Sequence, residues 1–226
     1  MRALLDLVLP VACVGCGRRG VVACESGLVE LAAPAALAWP RPSPARLPPP
    51  WAVTPYDGHA RRFLLAYKEH GVAALRRPLA AALTTSVRAA LADRVDDPVV
   101  LVPVPSSRAA RRRRGCDVVA DLAITVERIL RAEGGRVQVL RALRHSRKVS
   151  DSAGLSAGQR ADNLAGAFSV RPADRPRLAG ARVVVVDDLV TTGVTLRECA
   201  DSLRAAGAEV VGVATVAATR RRAPSP

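Results

Sequence analysis

Residues Arg182 to Val186 read RVVVV and run directly into two adjacent carboxylates, Asp187 and Asp188. Four consecutive β-branched apolar residues leave no polar face, so the strand they form is covered on both sides, as strands of parallel sheets are. The surrounding sequence supplies the cover. Helical patterns are expected over RRFLLAYKEHG, over LRRPLAAALTTSVRAALADRV from near Pro78 to before Asp96, over Cys116 to Glu133 closed by Gly134-Gly135, and over Thr195 to Ala206 closed by Gly207. Strands are expected at Pro98 to Pro105, Val137 to Leu140, Arg182 to Val186 and Glu209 to Ala217. Strands alternating with helices predict an α/β fold, a parallel sheet flanked by helices. Ligands in such sheets bind beyond the carboxyl ends of the strands, where Asp187 and Asp188 fall.

The chain of 226 residues has room for one such domain and a small appendage. Composition divides it into residues 1–33, which hold three of the five cysteines, a proline-rich stretch 34–50, a domain over 51–219, and a basic tail 220–226. The seven prolines of PAALAWPRPSPARLPPP rule out a regular helix or central strand and predict an extended, semi-rigid connector. No apolar run approaches the roughly 20 residues that span a bilayer. The N-terminus MRALLDLVLPVACVGCG loosely mimics a signal peptide. Asp6 interrupts its apolar segment and no small-residue cleavage site precedes the cysteines, so the expected location is cytoplasmic.

A formal charge of +14 suggests a nucleic-acid partner. Yet only Lys68 and Lys148 among the 34 basic residues are lysines, and the excess of Arg, Ala and Pro resembles a GC-rich coding bias. Aromatics are 3% of the chain, which leaves few platforms for stacked bases. The dense runs Arg111 to Arg114 and Arg220 to Arg222 are therefore read as a solvated loop and a frayed tail.

One Asp at a strand end is ordinarily a helix cap. Two Asp followed by Leu-Val-Thr-Thr-Gly-Val-Thr offer more: paired acceptors for neighbouring hydroxyls, then hydroxyls and amides at a helix N-terminus that suit a phosphate. Gly193 permits close backbone approach. Ribose 5-phosphate has this layout. The loop is neither a Walker A sequence nor a dinucleotide-binding Gly-x-Gly-x-x-Gly.

Asp-Asp-x-x-Thr-x-Gly-x-Thr resembles the phosphoribosyl pyrophosphate (PRPP) signature of type I phosphoribosyltransferases. That resemblance implies that Asp187 and Asp188 hold the ribose 2- and 3-hydroxyls, and that Thr191, Thr192, Gly193 and Thr195 wrap the 5-phosphate. It also implies a Mg²⁺ ion on the pyrophosphate, held mostly by substrate oxygens and water. Hypoxanthine-type enzymes have an Asp where this chain has Thr191, and Thr191 cannot act as a general base at neutral pH, which argues against a purine acceptor activated in that way.

Further blocks, AYKEHG (Ala66 to Gly71), LVPVPSSRAARRRRG (Leu101 to Gly115) and SAGLSAGQRADNLAGAF (Ser152 to Phe168), stand in the order and spacing of the ComF/GntX family of phosphoribosyltransferase-like proteins, some tied to DNA uptake. The resemblance covers most of residues 51–217 and includes a short cysteine-bearing N-terminal segment. Related enzymes receive pyrophosphate on the loop corresponding to Ser106, Ser107 and Arg108, whose hydroxyls, amides and guanidinium suit that anion. A mobile loop in them closes over PRPP, which matters because ribosyl C1 develops oxocarbenium character and must be kept from water. The long polar segment Leu143 to Leu164 stands in that place, with Arg144, Arg147, Lys148 and Arg160 as its cations. Two departures, Arg114-Gly115-Cys116-Asp117-Val118 and Ser152, fall where the family has Arg-Gly-Phe-Asn-Gln and a Gln, so acceptor contacts are expected to differ.

Cys13-Val-Gly-Cys16 followed by Cys24 looks like a zinc ribbon with one ligand missing, since the partner of Cys24 would stand at Gly27. Glu25, His59 or His70 could complete it, or the site is degenerate or three-liganded. A disulfide is disfavoured in a reducing compartment. Cys116 and Cys199 are expected to be packing residues within apolar helices.

Two functions follow: an enzyme displacing pyrophosphate at C1 of PRPP toward an unknown acceptor, or a non-catalytic protein that binds single-stranded DNA, competence-machinery proteins or a nucleotide signal. A second copy of the chain, as a homodimer, is a further expected partner.

Overall fold

The computed structural model describes residues 12–92, 97–146 and 166–219. Its central sheet contains β1 (Ala36–Leu37), β2 (Pro50–Pro55), β3 (Val99–Pro103), β4 (Val137–Val139), β7 (Arg182–Val186), β8 (Leu189–Val190) and β9 (Glu209–Ala218). The spatial order is β1-β2-β9-β7-β3-β4, with β8 beside β9. All pairings are parallel except the short antiparallel β1–β2 edge. A separate antiparallel pair joins β5 (Leu143–His145) to β6 (Phe168–Val170).

The period of two along β7 sorts its side chains between two cores. Val184 and Val186 pack with helices α1 (Glu25–Leu31), α2 (Gly58–His70), α3 (Arg76–Leu91) and α5 (Val118–Ala132). Val183 and Val185 pack on the opposite face with α6 (Arg175–Leu178), α7 (Val194–Arg204) and the β5–β6 pair. All four valines are fully buried, as a strand between two helical layers requires.

Several local expectations are corrected. The arginine run is not a solvated loop: Arg108–Arg114 forms a short helix, α4, capped by Ser107 Oγ and stopped at Gly115 in the left-handed region. The following helix begins at Val118, because the Asp117 carboxylate accepts the Ala120 N–H as an N-cap. Cys116 is therefore exposed in the turn before α5 and does not pack inside a helix. Cys199, in contrast, is fully buried in α7.

The proline-rich stretch contains no helix, yet it is no simple spacer. Ala36 and Leu37 pair with Ala52 and Trp51, and the chain then runs as a strap whose Pro40 and Leu47 are buried. Strand β2, bounded by Pro50 and Pro55, pairs with β9. Proline at a first or last strand residue forfeits no interior ladder donor, which is why PWAVTP pairs despite both prolines.

Candidate functional site

Strands β3 and β7 are parallel neighbours, with Pro103 opposite Val186, so the loops leaving their carboxyl ends adjoin. Val104 N–H donates to Val186 O at 2.9 Å. On the β7 side Asp187 and Asp188 follow at once. Asp188 is 6% exposed, and its backbone N–H donates to Asp187 Oδ1 at 2.8 Å.

The charge on Asp188 is answered by a residue that the sequence alone marks only as a member of the AYKEHG block. Lys68 Nζ in the last turn of α2 lies 2.7 Å from Asp188 Oδ2. Burial pulls the lysine down, but the Asp188 carboxylate, with Asp187 behind it, outweighs that and raises it above its ordinary value. Asp187 has no such ion pair among the described residues. Burial first, then the neighbouring Asp188 charge, pushes its carboxyl well above the usual range, and Lys68 offsets this only in part. Asp187 is thus the member of the pair that holds a proton more readily than an ordinary carboxyl. A usable signal was present in the sequence: Lys68 is one of two lysines in a chain that otherwise uses arginine.

After β8 come Thr191 and Thr192, both exposed, then Gly193 at φ +75° as the N-cap of α7. The N-cap glycine has no side chain to cap this 11-residue helix, whose first amides follow Thr191 and Thr192 in the chain, with Thr195 in the first turn. A Cβ on Gly193 would lie 2.9 Å from Leu47 Cδ2 and 3.0 Å from Pro40 Cγ, so the strap packs onto the loop where only glycine fits.

On the β3 side, Ser106 Oγ donates to Asp117 Oδ1 at 2.9 Å, and Ser107 Oγ accepts the Ala110 N–H at 3.1 Å. Arg108 is exposed at the start of α4. Two residues of α2 bind both halves together: Lys68 holds Asp188, while Glu69 pairs with Arg113 at 3.0 Å and Arg114 at 2.7 Å. The Nε atoms of Arg111 and Arg114 are buried without a hydrogen-bond partner among the described residues. Arg144 stands on β5, with its Nε donating to Ser169 Oγ. Arg147, Lys148, Arg160 and Arg220 to Arg222 lie outside the described residues.

The cysteines gather elsewhere, against the N-terminal half of α2. Sγ atoms of Cys13, Cys16 and Cys24 lie within 4.8 Å of one another, a set that can hold a metal ion. Burial raises the Cys13 thiol, but N–H groups of Cys16 and Gly15 lower it further, to about 7, which favours a thiolate ligand. Gly27 is not an empty ligand position. A Cβ there would stand 2.5 Å from the Phe63 ring, so glycine is what lets this segment seat on α2. His59 Nδ1 is engaged by Glu30 at 3.3 Å. Lys68 is nine residues further along the helix, about 13 Å away along its axis.

The model of the phosphoribosyl transferase domain family matches residues 80–226. Orotate phosphoribosyltransferases of Brucella ovis and Brucella anthropi are each 47% identical to this chain over 51 residues, 23% of its length and 26% of theirs. The match thus spans about a quarter of the length of these curated relatives. A solved structure of the allosteric regulatory enzyme of purine biosynthesis aligns with 62% of this chain and 26% of its own at 22% identity, with a TM-score of 0.35. Among the described residues no helix is long and apolar enough to cross a membrane.

Proposed function

The chain belongs to the phosphoribosyl transferase domain family, and on that premise we propose that it binds PRPP and transfers its phosphoribosyl group to an acceptor with release of pyrophosphate. The observation that carries this is the buried strand ending in Asp187-Asp188 and continuing into an uncapped threonine–glycine turn, beside the Ser106–Arg108 loop of the neighbouring strand. Asp187 and Asp188 accept hydrogen bonds from the ribose 2- and 3-hydroxyls. Thr191, Thr192, Gly193 and Thr195 hold the 5-phosphate by hydroxyls and amides. Ser106, Ser107 and Arg108 meet the pyrophosphate, with Arg144 as a further cation.

As the bond from C1 to pyrophosphate breaks, positive charge develops on the sugar and negative charge on the leaving group. The chain offers no covalent step in this scheme. Its residues fix the sugar by three points of attachment and set cations against the departing oxygens. A Mg²⁺ ion bound to the pyrophosphate would neutralise part of that charge, carried by substrate oxygens and water. Thr191 supplies no base, so a proton lost by the acceptor's nitrogen must pass to a group outside the threonine loop or to the departing pyrophosphate.

The order of the AYKEHG, PVPSSR and acidic-loop blocks supports placing the chain with ComF/GntX proteins. The cysteine trio fits zinc with three thiolates and a fourth position left to an exogenous ligand. Incubation with PRPP, Mg²⁺ and a panel of nitrogen heterocycles tests the transfer. Pyrophosphate release that depends on one acceptor and disappears in Asp188→Asn supports it; release from none of the panel, with PRPP bound, leaves a PRPP-binding protein and removes the transferase.

A further inference from the structure

The strap and most of the space beneath it take no part in the sugar-phosphate site. Between the strap, β2 and α7 lies a cleft of about 1330 Å³, larger than the roughly 300–1,000 Å³ of most small-molecule sites. Thr191, Thr192 and Thr195 line its one end, whereas Asp187, Asp188, Lys68 and Ser106 are not among its lining residues. A ribose 5-phosphate held by the acidic pair and the threonine turn therefore leaves this volume open on the far side of its phosphate.

The strap wall of the cleft carries an aromatic side chain and two arginines, groups that suit a base and a phosphate. Trp39 is a lining residue and 45% exposed. Exposed Arg41 makes no ion pair among the described residues, and Arg46, with its side chain 71% exposed, touches Asp201 only at 3.4 Å. Arg197 on the opposite wall is neutralised by Glu198 and Asp201. Pro40, Pro44 and Leu47 pack against Gly193, so the strap passes beside the threonine turn with Trp39 and Arg41 flanking Pro40.

We infer that the cleft holds a nucleoside phosphate joined to the phosphate on the threonine turn, so that the ligand class of this site includes nucleoside diphosphate riboses. Such a ligand places its ribose 5-phosphate on Asp187, Asp188 and the turn, its second phosphate near Arg41 and Arg46, and its base on the face of Trp39. This rests on the sugar-phosphate site proposed above, and it extends that site in the direction opposite to C1, where transfer would occur.

Titration with ribose 5-phosphate and with ADP-ribose, followed by tryptophan emission and calorimetry, tests it. ADP-ribose is expected to bind at least about tenfold more tightly, the factor one stacked base supplies, and to quench emission. Trp51 is the only other tryptophan, so loss of the quench in Trp39→Ala assigns it. The same variant should lose about tenfold in ADP-ribose affinity and none in ribose 5-phosphate affinity, and Arg41→Gln should weaken ADP-ribose alone. Equal affinities of the two ligands for the wild type, or an ADP-ribose affinity unchanged in Trp39→Ala, overturns the extended site while leaving the sugar-phosphate site standing. If ribose 5-phosphate does not bind at all, both fall together.

Discussion

The acidic pair is placed at a cost that is visible residue by residue. Asp187 has its carboxyl pushed up by burial and by Asp188, so folding binds a proton there that the unfolded chain releases at lower pH. Its folded-state value is raised, so its stabilising contribution is present below the ordinary Asp range and is lost as pH rises toward the raised value. Asp187→Asn should therefore raise the unfolding free energy near pH 7, by about 1.4 kcal/mol for every tenfold by which folding tightens the hold of Asp187 on its proton. It should also flatten the decline between acidic and neutral pH. Thermal unfolding across that range checks it, and the same variant should lose the stabilisation that PRPP gives the wild type. Lys68 makes a separate prediction. Lys68→Met removes the cation 2.7 Å from Asp188, and with it the charge that offsets part of the upward push on Asp187, so Asp187 becomes harder to ionise. PRPP affinity should fall at pH 7 and recover partly as pH rises; a loss of equal size at every pH would assign Lys68 a purely structural role.

At the scale of elements, glycine positions decide how the added segments seat. Gly193 combines φ +75° with Pro40 and Leu47 packed where a Cβ would go. Gly193→Ala should cost about 1–3 kcal/mol in chemical unfolding. Gly27→Cys looks, from sequence, like repair of a zinc ribbon. The Phe63 ring occupies that space, so the variant should lower stability and leave metal content at or below that of the wild type; a gain in both would show that α1 can shift off α2. Sequence patterning located the parallel sheet, the Arg182–Val186 strand and the acidic loop because each rests on local chemistry: β-branched runs, paired carboxylates, a glycine among threonines. It missed β2 because flanking prolines look like breakers when the strand's partner, β9, is distant in sequence. It read Arg111 to Arg114 as a loop because the Ser107 cap and the Glu69 partner that support α4 cannot be seen as a repeat. The pairing of Lys68 with Asp188 joins residues 120 apart, and no spacing rule reaches across that interval.

For the molecule as a whole, a formal charge of +14 favours anionic ligands in general and weakens with salt, so salt dependence alone does not distinguish a nucleic acid from a sugar phosphate. What distinguishes them is dependence on two particular carboxylates, since a diol needs acceptors and a phosphate backbone is repelled by them. A ligand present at 100 times its dissociation constant should add about 2.7 kcal/mol of stability, which makes binding visible in thermal unfolding before any acceptor is known. The most direct measurement is calorimetric titration of PRPP with Mg²⁺ into the wild type and into Asp187→Asn/Asp188→Asn. Saturable 1:1 binding to the wild type and none to the double variant is the expected result; no binding to the wild type, or the same binding to both, would contradict a sugar-phosphate site at the end of this strand.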